Sequence, residues 1–281
     1  MKIAVLMTCF NRVQTTVNCL DHFYGCQRPE GWQLDVYLVD DGSPDGTGRI
    51  VAQSFPDVRI IQGTGHLYWC GGMRLAWKAA SEAADYDGYL WLNDDTLVFP
   101  SALSEIARAW AEASGRQAAA AIICGCTCNA QKTRCTYGGR SAAGALIDPT
   151  GQSVRVDFIN GNMVLVPKEV FLSVGNFPGY FTHALGDFDY SLRAEKVGHH
   201  SYITGNYVGV CEKGADPSWI DSAVPFSKRV RTLYSPKGSA TPPVYFRFIL
   251  THYGLLTAMR RWLLLHVRVC LPSLWVKHGR F

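Results

Sequence analysis

The stretch Leu34-Asp35-Val36-Tyr37-Leu38-Val39-Asp40-Asp41-Gly42-Ser43-Pro44-Asp45-Gly46 decides the architecture. A short, mostly apolar, β-prone run ends abruptly in residues that favour turns. It reads as a buried strand emptying into a loop at its C-terminal end. The pattern recurs twice: Lys2–Thr8 runs into Cys9-Phe10-Asn11-Arg12, and Gly88–Leu92 runs into Asn93-Asp94-Asp95-Thr96. Val58–Gln62 is a further strand. Helical spacing joins them: Val13, Val17, Leu20 and Phe23/Tyr24, then a helix ending near Phe55, then Met73–Ala84 and Ser101–Ala113. Strand and helix alternating at this interval predict βαβ units around a mostly parallel sheet. Right-handed crossovers put the strand C-termini on one edge, where ligands bind. Thr8–Arg12, Asp40–Ser43 and Asn93–Thr96 therefore converge on one crevice.

The middle of the chain is mixed. Ala120–Cys128, Ala145–Asp148, Val154–Phe158, Met163–Val166 and Ser201–Val210 read as strands, and Pro167–Val174 and Gly186–Val197 as helices. The 281 residues are 48% hydrophobic and 18% charged, which excludes a disordered chain. No stretch reaches about 18 uncharged apolar residues, so no spanning helix is expected. Ten cysteines without a secretion signal point to a reduced, cytoplasmic interior. Cys124, Cys126 and Cys128 alternate, with Cys135 nearby, and read as buried strand thiols rather than a zinc site. Charge is uneven. Residues 1–221 hold 17 Lys/Arg and 23 Asp/Glu, whereas residues 222–281 hold ten Lys/Arg and no acid.

Each polar cluster has two readings. Adjacent carboxylates at Asp94-Asp95 repel unless a cation or donors compensate them, and such oxygen ligands suit Mg²⁺ or Mn²⁺ on a phosphate. The alternative is a cap on a helix beginning near Pro100. Asp40-Asp41 is placed to meet a ribose or base, or closes a turn into the next helix. Gly63–Gly72 reads as a glycine-rich loop before a helix, able to bring N–H groups to a phosphate, with Arg74 in reach of a diphosphate or simply on the surface. In Gly186-Asp187-Phe188-Asp189, a carboxylate at a helix start is a cap or dipole partner, or else a general base over the crevice; the two do not share a helix face, so one of them would do most of any catalytic work. His183 precedes Asp187 by four residues, and Asn160-Gly161-Asn162 reads as a turn between strands.

Met7-Thr8-Cys9-Phe10-Asn11-Arg12, Val39-Asp40-Asp41-Gly42-Ser43-Pro44-Asp45-Gly46-Thr47, Leu92-Asn93-Asp94-Asp95-Thr96 and Asp187-x-Asp189-x-x-x-Arg193 stand in an order and spacing that resemble family 2 glycosyltransferases of the GT-A fold, over about residues 1–212. Within that family the chain resembles the rhamnosyltransferase-like bacterial enzymes that build surface polysaccharide such as O-antigen, capsule or lipopolysaccharide. Leu67-Tyr68-Trp69-Cys70-Gly71-Gly72 is similar to that subgroup's loop, and Asn160-Gly161-Asn162 to the family's acceptor-side loop. The resemblance implies an inverting transfer from a nucleotide sugar, a UDP-sugar or dTDP-rhamnose, to a glycan or lipid-linked acceptor. By the same resemblance, Thr8 and Asp41 contact the nucleobase. Asp94 is a ribose or metal-site position, and Asp95 holds Mn²⁺ or Mg²⁺ on the diphosphate. Asn11, Arg12, Gly71, Gly72 and Arg74 complete the nucleotide site, and Asp187 deprotonates the acceptor. Three positions depart from the pattern: Asn93 at the first place of the DxD motif, Gly186 where Glu is usual, and Cys211-Glu212 where a His often completes the metal site. A nucleotidyltransferase is the rival enzyme, but it would carry a glycine-rich loop directly after the first strand. A non-catalytic carbohydrate-binding descendant is the rival of another class.

The expected organisation is a catalytic α/β domain at 1–221, with a nucleotide half at 1–115 and an acceptor half at 116–221, followed by a basic amphipathic helical tail at 222–281. Between 243 and 277 the tail's apolar runs are broken by basic residues and flanked by Trp, which suits an interfacial helix on the inner membrane. The competing reading is a helical pair packed on the catalytic domain or on a second subunit. Its apolar content argues against nucleic acid.

Overall fold

The computed structural model describes residues 1–116, 120–215, 217–238 and 240–274. Four strands form the parallel half: β1 (Lys2–Cys9), β2 (Gln33–Asp40), β3 (Arg59–Gln62) and β4 (Gly88–Leu92) lie in the order β3-β2-β1-β4. The helices α1 (Val13–Tyr24), α2 (Thr47–Ser54) and α3 (Tyr68–Ala83) make their crossovers. The short β5 (Leu97–Val98) and the helix α4 (Ala102–Ser114) lead into the mixed half. Its strands are β6 (Ile122–Cys128), β7 (Cys135–Tyr137), β8 (Gly139–Arg140), β9 (Val154–Val156), β10 (Phe158–Ile159), β11 (Met163–Pro167) and β12 (Ser201–Val210). The helices α5 (Lys168–Val174) and α6 (Gly186–Lys196) precede β12. The sheet continues as β4-β11-β6-β12-β5, with β11 antiparallel to both its neighbours, while β7 pairs with β6 and β9 with β12. This is the mostly parallel α/β architecture the sequence predicts.

Alternation along each strand divides the core. Ile3, Val5 and Met7 of β1 face Cys19, Leu20 and Phe23 of α1 and Leu103 and Ile106 of α4. Ala4 and Leu6 face Met73, Trp77 and Ala80 of α3 and Tyr190 of α6. Fully buried side chains of this size contribute about 1.5–3 kcal/mol each, so both sheet faces are covered cores. On the second face, Trp77, Trp91, Phe177 and Tyr190 form one aromatic cluster with centroids 4.9–5.7 Å apart.

Three local expectations are corrected. Ala145–Asp148 is no strand: a turn at Gly144 closed by the Ser141 N–H on the Ala145 carbonyl leaves only a single bridge from Arg140 to Leu146. Val154–Phe158 is two strands, because the chain leaves β12 after Val156 and pairs with β8 from Phe158. The third helix starts at Tyr68 rather than Met73, so Gly71 and Gly72 lie inside it and the Gly71 N–H bonds to the Leu67 carbonyl. They cannot offer free N–H groups to a phosphate.

The tail forms α7 (Phe226–Leu233), α8 (Pro242–Tyr253) and α9 (Leu255–Cys270). Pro242 and Pro243 start α8, and Gly254 at φ 83° separates it from α9. Phe248, Ile249 and Ala258 pack with Cys70 and Phe181 of the body. The tail thus docks on the α/β body by one face. Trp275 and Lys277 lie outside the described residues.

Candidate active site

The parallel strands deliver three loops to one edge. Cys9 is in register with Asp40, and Leu6 with Trp91. Each loop is then locked by a carboxylate. Asp40 accepts from the N–H groups of Ser43 and Gly48, so it is the residue that closes the turn into α2. Asp41, 4% exposed, accepts from the N–H groups of Gly65, Leu67 and Tyr68 at 2.8–3.2 Å. It fixes the start of α3, a role the sequence did not suggest. Asp45 accepts from Val13 and Thr47, and Ser43 Oγ from the Asn11 N–H. Asn11, Tyr68 and Leu185 all hold positive φ, at 53°, 53° and 72°. Such conformations persist where the surroundings impose them, and all three border this crevice.

Asp94 and Asp95 sit in a turn between β4 and β5, not at a helix start, which disposes of the capping reading. Arg12 is their counter-ion: one guanidinium nitrogen lies 3.0 Å from Asp94 and 3.2 Å from Asp95. Asp94 is buried and also accepts from Thr16 Oγ1 at 3.3 Å. Burial pushes its carboxyl up to about 7, with Arg12 pulling it down and Asp95 pushing it further up. Asp95 is open, its side chain 43% exposed.

Two of the three neighbouring candidates are taken up elsewhere. Asn93 Oδ1 accepts from Trp69 Nε1 at 2.6 Å. Glu212 accepts from the Ala130 N–H. The Cys211 thiol faces Asp95 Oδ1 at 3.7 Å, and burial followed by the Asp95 charge pushes it up to about 12. Among the described residues no three His, Cys, Asp or Glu side chains gather to hold a metal. Asp95, open to the crevice, is the carboxylate of this set that could take a hard divalent ion.

Asp187 opens α6 on the far side of the crevice. Its carboxylate accepts from the N–H groups of Phe188 at 2.9 Å and Gly161 at 3.1 Å. Burial pushes it up to about 6 against the pull of those two donors. Asp189, the other candidate base, is fully buried, ion-paired with Arg193 at 2.6 Å and hydrogen-bonded to His252 at 2.8 Å, so it cannot reach an acceptor. Trp69 joins the two halves. Its Nε1–H holds Asn93, and its ring lies where a Cβ on Gly161 would come within 2.5 Å. A second path runs from Asp95 through Cys211 to Asn162, whose amide meets the thiol at 3.3 Å. Sequence reasoning missed Trp69 and the buried Asp189–His252 pair. Trp69 stands within the quoted loop but carries no charge to draw notice, and His252 is 63 residues from its partner.

Thr8 lies against Gly72, as part of the floor of the crevice. The Arg74 guanidinium meets the carbonyls of Pro178 and Phe181 at 3.4 Å. The His183 side chain stays exposed, while its carbonyl accepts the Cys70 thiol at 3.3 Å.

This sheet edge carries a carboxylate pair on one side and a lone raised carboxylate on the other. The glycosyl transferase family 2 profile matches residues 4–158, more than half of the chain, and the chain belongs to that family. Among solved structures it is similar to S. aureus TarS 1–349 in complex with UDP-GlcNAc, at 12% identity and a TM-score of 0.56, covering 97% of this chain and 81% of that one. It is also similar to the mannosyltransferase PcManGT from Pyrobaculum calidifontis in complex with GDP-Man and Mn²⁺, at 16% identity and a TM-score of 0.55, covering 98% and 88%. At these identities the likeness is one of fold. No curated protein sequence matches the chain.

Proposed function

We propose that the protein moves a sugar from a nucleotide-sugar donor to a hydroxyl of a glycan or lipid-linked acceptor, with inversion at the anomeric carbon, in the assembly of bacterial surface polysaccharide. The observation that carries this reading is Asp187: one carboxylate, raised to about 6 and held by two backbone N–H groups, across the crevice from Asp94–Asp95. An acceptor hydroxyl is a poor nucleophile until its proton is taken, and a base near neutral pKa does that best. One inverting displacement needs one such base, whereas glycoside hydrolases need two carboxylates. Family membership and the nucleotide-sugar complexes of TarS and PcManGT support a nucleotide-sugar donor.

Asp95 would hold Mn²⁺ or Mg²⁺ against the donor diphosphate, and the ion would offset charge on the leaving group. Arg12 orients Asp94 and Asp95 and brings a cation to the same place. Thr8, Asn11 and Asp41, through the loops they floor or lock, shape the nucleoside pocket, with UDP-sugars and dTDP-rhamnose as the leading donors. Trp69 ties the donor-side loop, through Asn93, to the Gly161 turn that holds the Asp187 carboxylate.

The test is calorimetric binding of UDP, dTDP, GDP and their sugars, with Mn²⁺ and with chelator. Wild type should bind one nucleotide class in a metal-dependent way, and Asp95→Ala should lose the metal dependence. Absence of binding to every nucleotide would overturn the transferase reading and favour a non-catalytic descendant.

A further inference from the structure

The outward face of α9 is apolar where a water-facing surface would be polar. Leu255, Leu256, Met259 and Leu263 are 56, 83, 56 and 60% exposed, and Trp262 is 38% exposed. Their spacing puts them on one stripe along the first turns of the helix. Leu250 and Tyr253 of α8 extend it. This stripe is not the docking face, because Ala258, Leu265 and Val269 already pack on the body and on α7. Arg260 stands exposed at its edge, and Arg261, also exposed, lies over the Tyr253 ring at 5.1 Å. The whole segment 222–281 carries ten Lys/Arg and no acid. Among the described residues no helix is long and apolar enough to cross a membrane.

Apolar side chains bordered by cations, with Trp and Tyr among them, complement an anionic bilayer surface. The apolar groups enter the acyl boundary, the aromatic rings sit at headgroup level and the guanidinium groups meet phosphate. A second copy of the chain fits this face poorly, since it would bring an acid-free, ten-cation segment against its like.

We propose that the α8–α9 hairpin seats the protein on an anionic lipid surface, with Leu256, Met259 and Leu263 entering the acyl boundary and Arg260 and Arg261 at phosphate level. What the contact means for a lipid-linked acceptor rests on the transfer reading above; the contact itself does not. The hairpin's other face packs Phe248, Ile249 and Ala258 against a cluster that includes Phe181, Leu185 and Phe188, the last two on either side of Asp187. His252 of α8 pairs with Asp189 of α6 at 2.8 Å. A surface that holds the hairpin therefore also holds the start of α6, and its base, at a fixed height above the lipid.

The test is flotation of the full-length protein with vesicles of phosphatidylcholine alone and of phosphatidylcholine with phosphatidylglycerol. Nucleotide binding and solution mass are measured in parallel. Wild type should float with the anionic vesicles at least about tenfold better than with the neutral ones, and lose that preference at high salt. Leu256→Asp combined with Met259→Asp should abolish flotation while leaving nucleotide binding and melting temperature unchanged. Arg260→Gln with Arg261→Gln should weaken binding to anionic vesicles only. Wild type that floats with neither vesicle, a Leu256→Asp/Met259→Asp protein that floats like wild type, or a solution dimer split by that variant would each overturn the proposal. Flotation without nucleotide binding would overturn the transfer reading and leave this one supported.

Discussion

At the scale of single residues, environment separates two carboxylates that the sequence sets side by side. Asp187 and Asp189 are two apart, yet one looks into the crevice and the other is sealed under α8 between Arg193 and His252. Helical geometry demands that split, and it was legible in the sequence. The direction of each side chain was not, because the partner of Asp189 comes from the tail. The raised Asp187 sets the expected pH dependence. Its proton leaves only as pH rises through about 6, so the transfer rate should climb through that pH and level off above it. Asp187→Asn should remove this limb and lower kcat by about 10²–10⁴-fold while nucleotide affinity stays within about twofold. The same shift means that the native state binds the Asp187 proton more tightly than the unfolded chain does. This group's contribution to stability therefore falls as pH rises from about 4 toward about 6.

At the scale of elements, the contact between α3 and β1 is set by one missing side chain. A Cβ on Gly72 would stand 2.1 Å from Thr8 Oγ1 and 2.7 Å from Thr8 Cβ. The glycine-rich run was visible in the sequence and invited a phosphate-loop reading. What the sequence could not say is that the glycines serve close packing, since that depends on where the third helix starts. Three backbone bonds to Asp41, more than twenty residues upstream, fix that start. Gly72→Ala gains about 1 kcal/mol of helix propensity but overpacks a filled contact at a cost of about 1–3 kcal/mol. The clash should win: urea denaturation should give a net loss of stability. Adding Thr8→Ala should recover only part of it, because the Cβ of residue 8 remains in the way.

At the scale of the whole molecule, the basic tail is joined to the catalytic domain through a buried pair. The His252 side chain is 1% exposed and Asp189 fully buried. Removing one partner of a buried hydrogen-bonded pair leaves the other uncompensated. His252→Ala should therefore cost about 1–3 kcal/mol in thermal unfolding and lower kcat more than nucleotide affinity, because α6 carries the base. Asp189→Ala leaves Arg193 with an uncompensated charge and should cost more, about 3–5 kcal/mol. Of the two readings of the tail, the packed pair describes the face that Phe248, Ile249 and Ala258 turn to the body.

Order along the chain determined much of this protein. The alternation of β-prone runs with helical periodicity fixed a mostly parallel sheet, and its handedness brought Thr8, Asp41 and Asp94–Asp95 to one edge, because these are local and pairwise rules that need no knowledge of distant contacts. Tertiary structure alone decided which polar groups remain available. Arg12 between Asp94 and Asp95, Trp69 on Asn93, Arg74 turned to Pro178 and Phe181, and Asp189 closed by His252 all join residues 24 or more positions apart. Such pairings follow from how the layers pack, and packing is a property of the assembled volume rather than of any stretch of sequence.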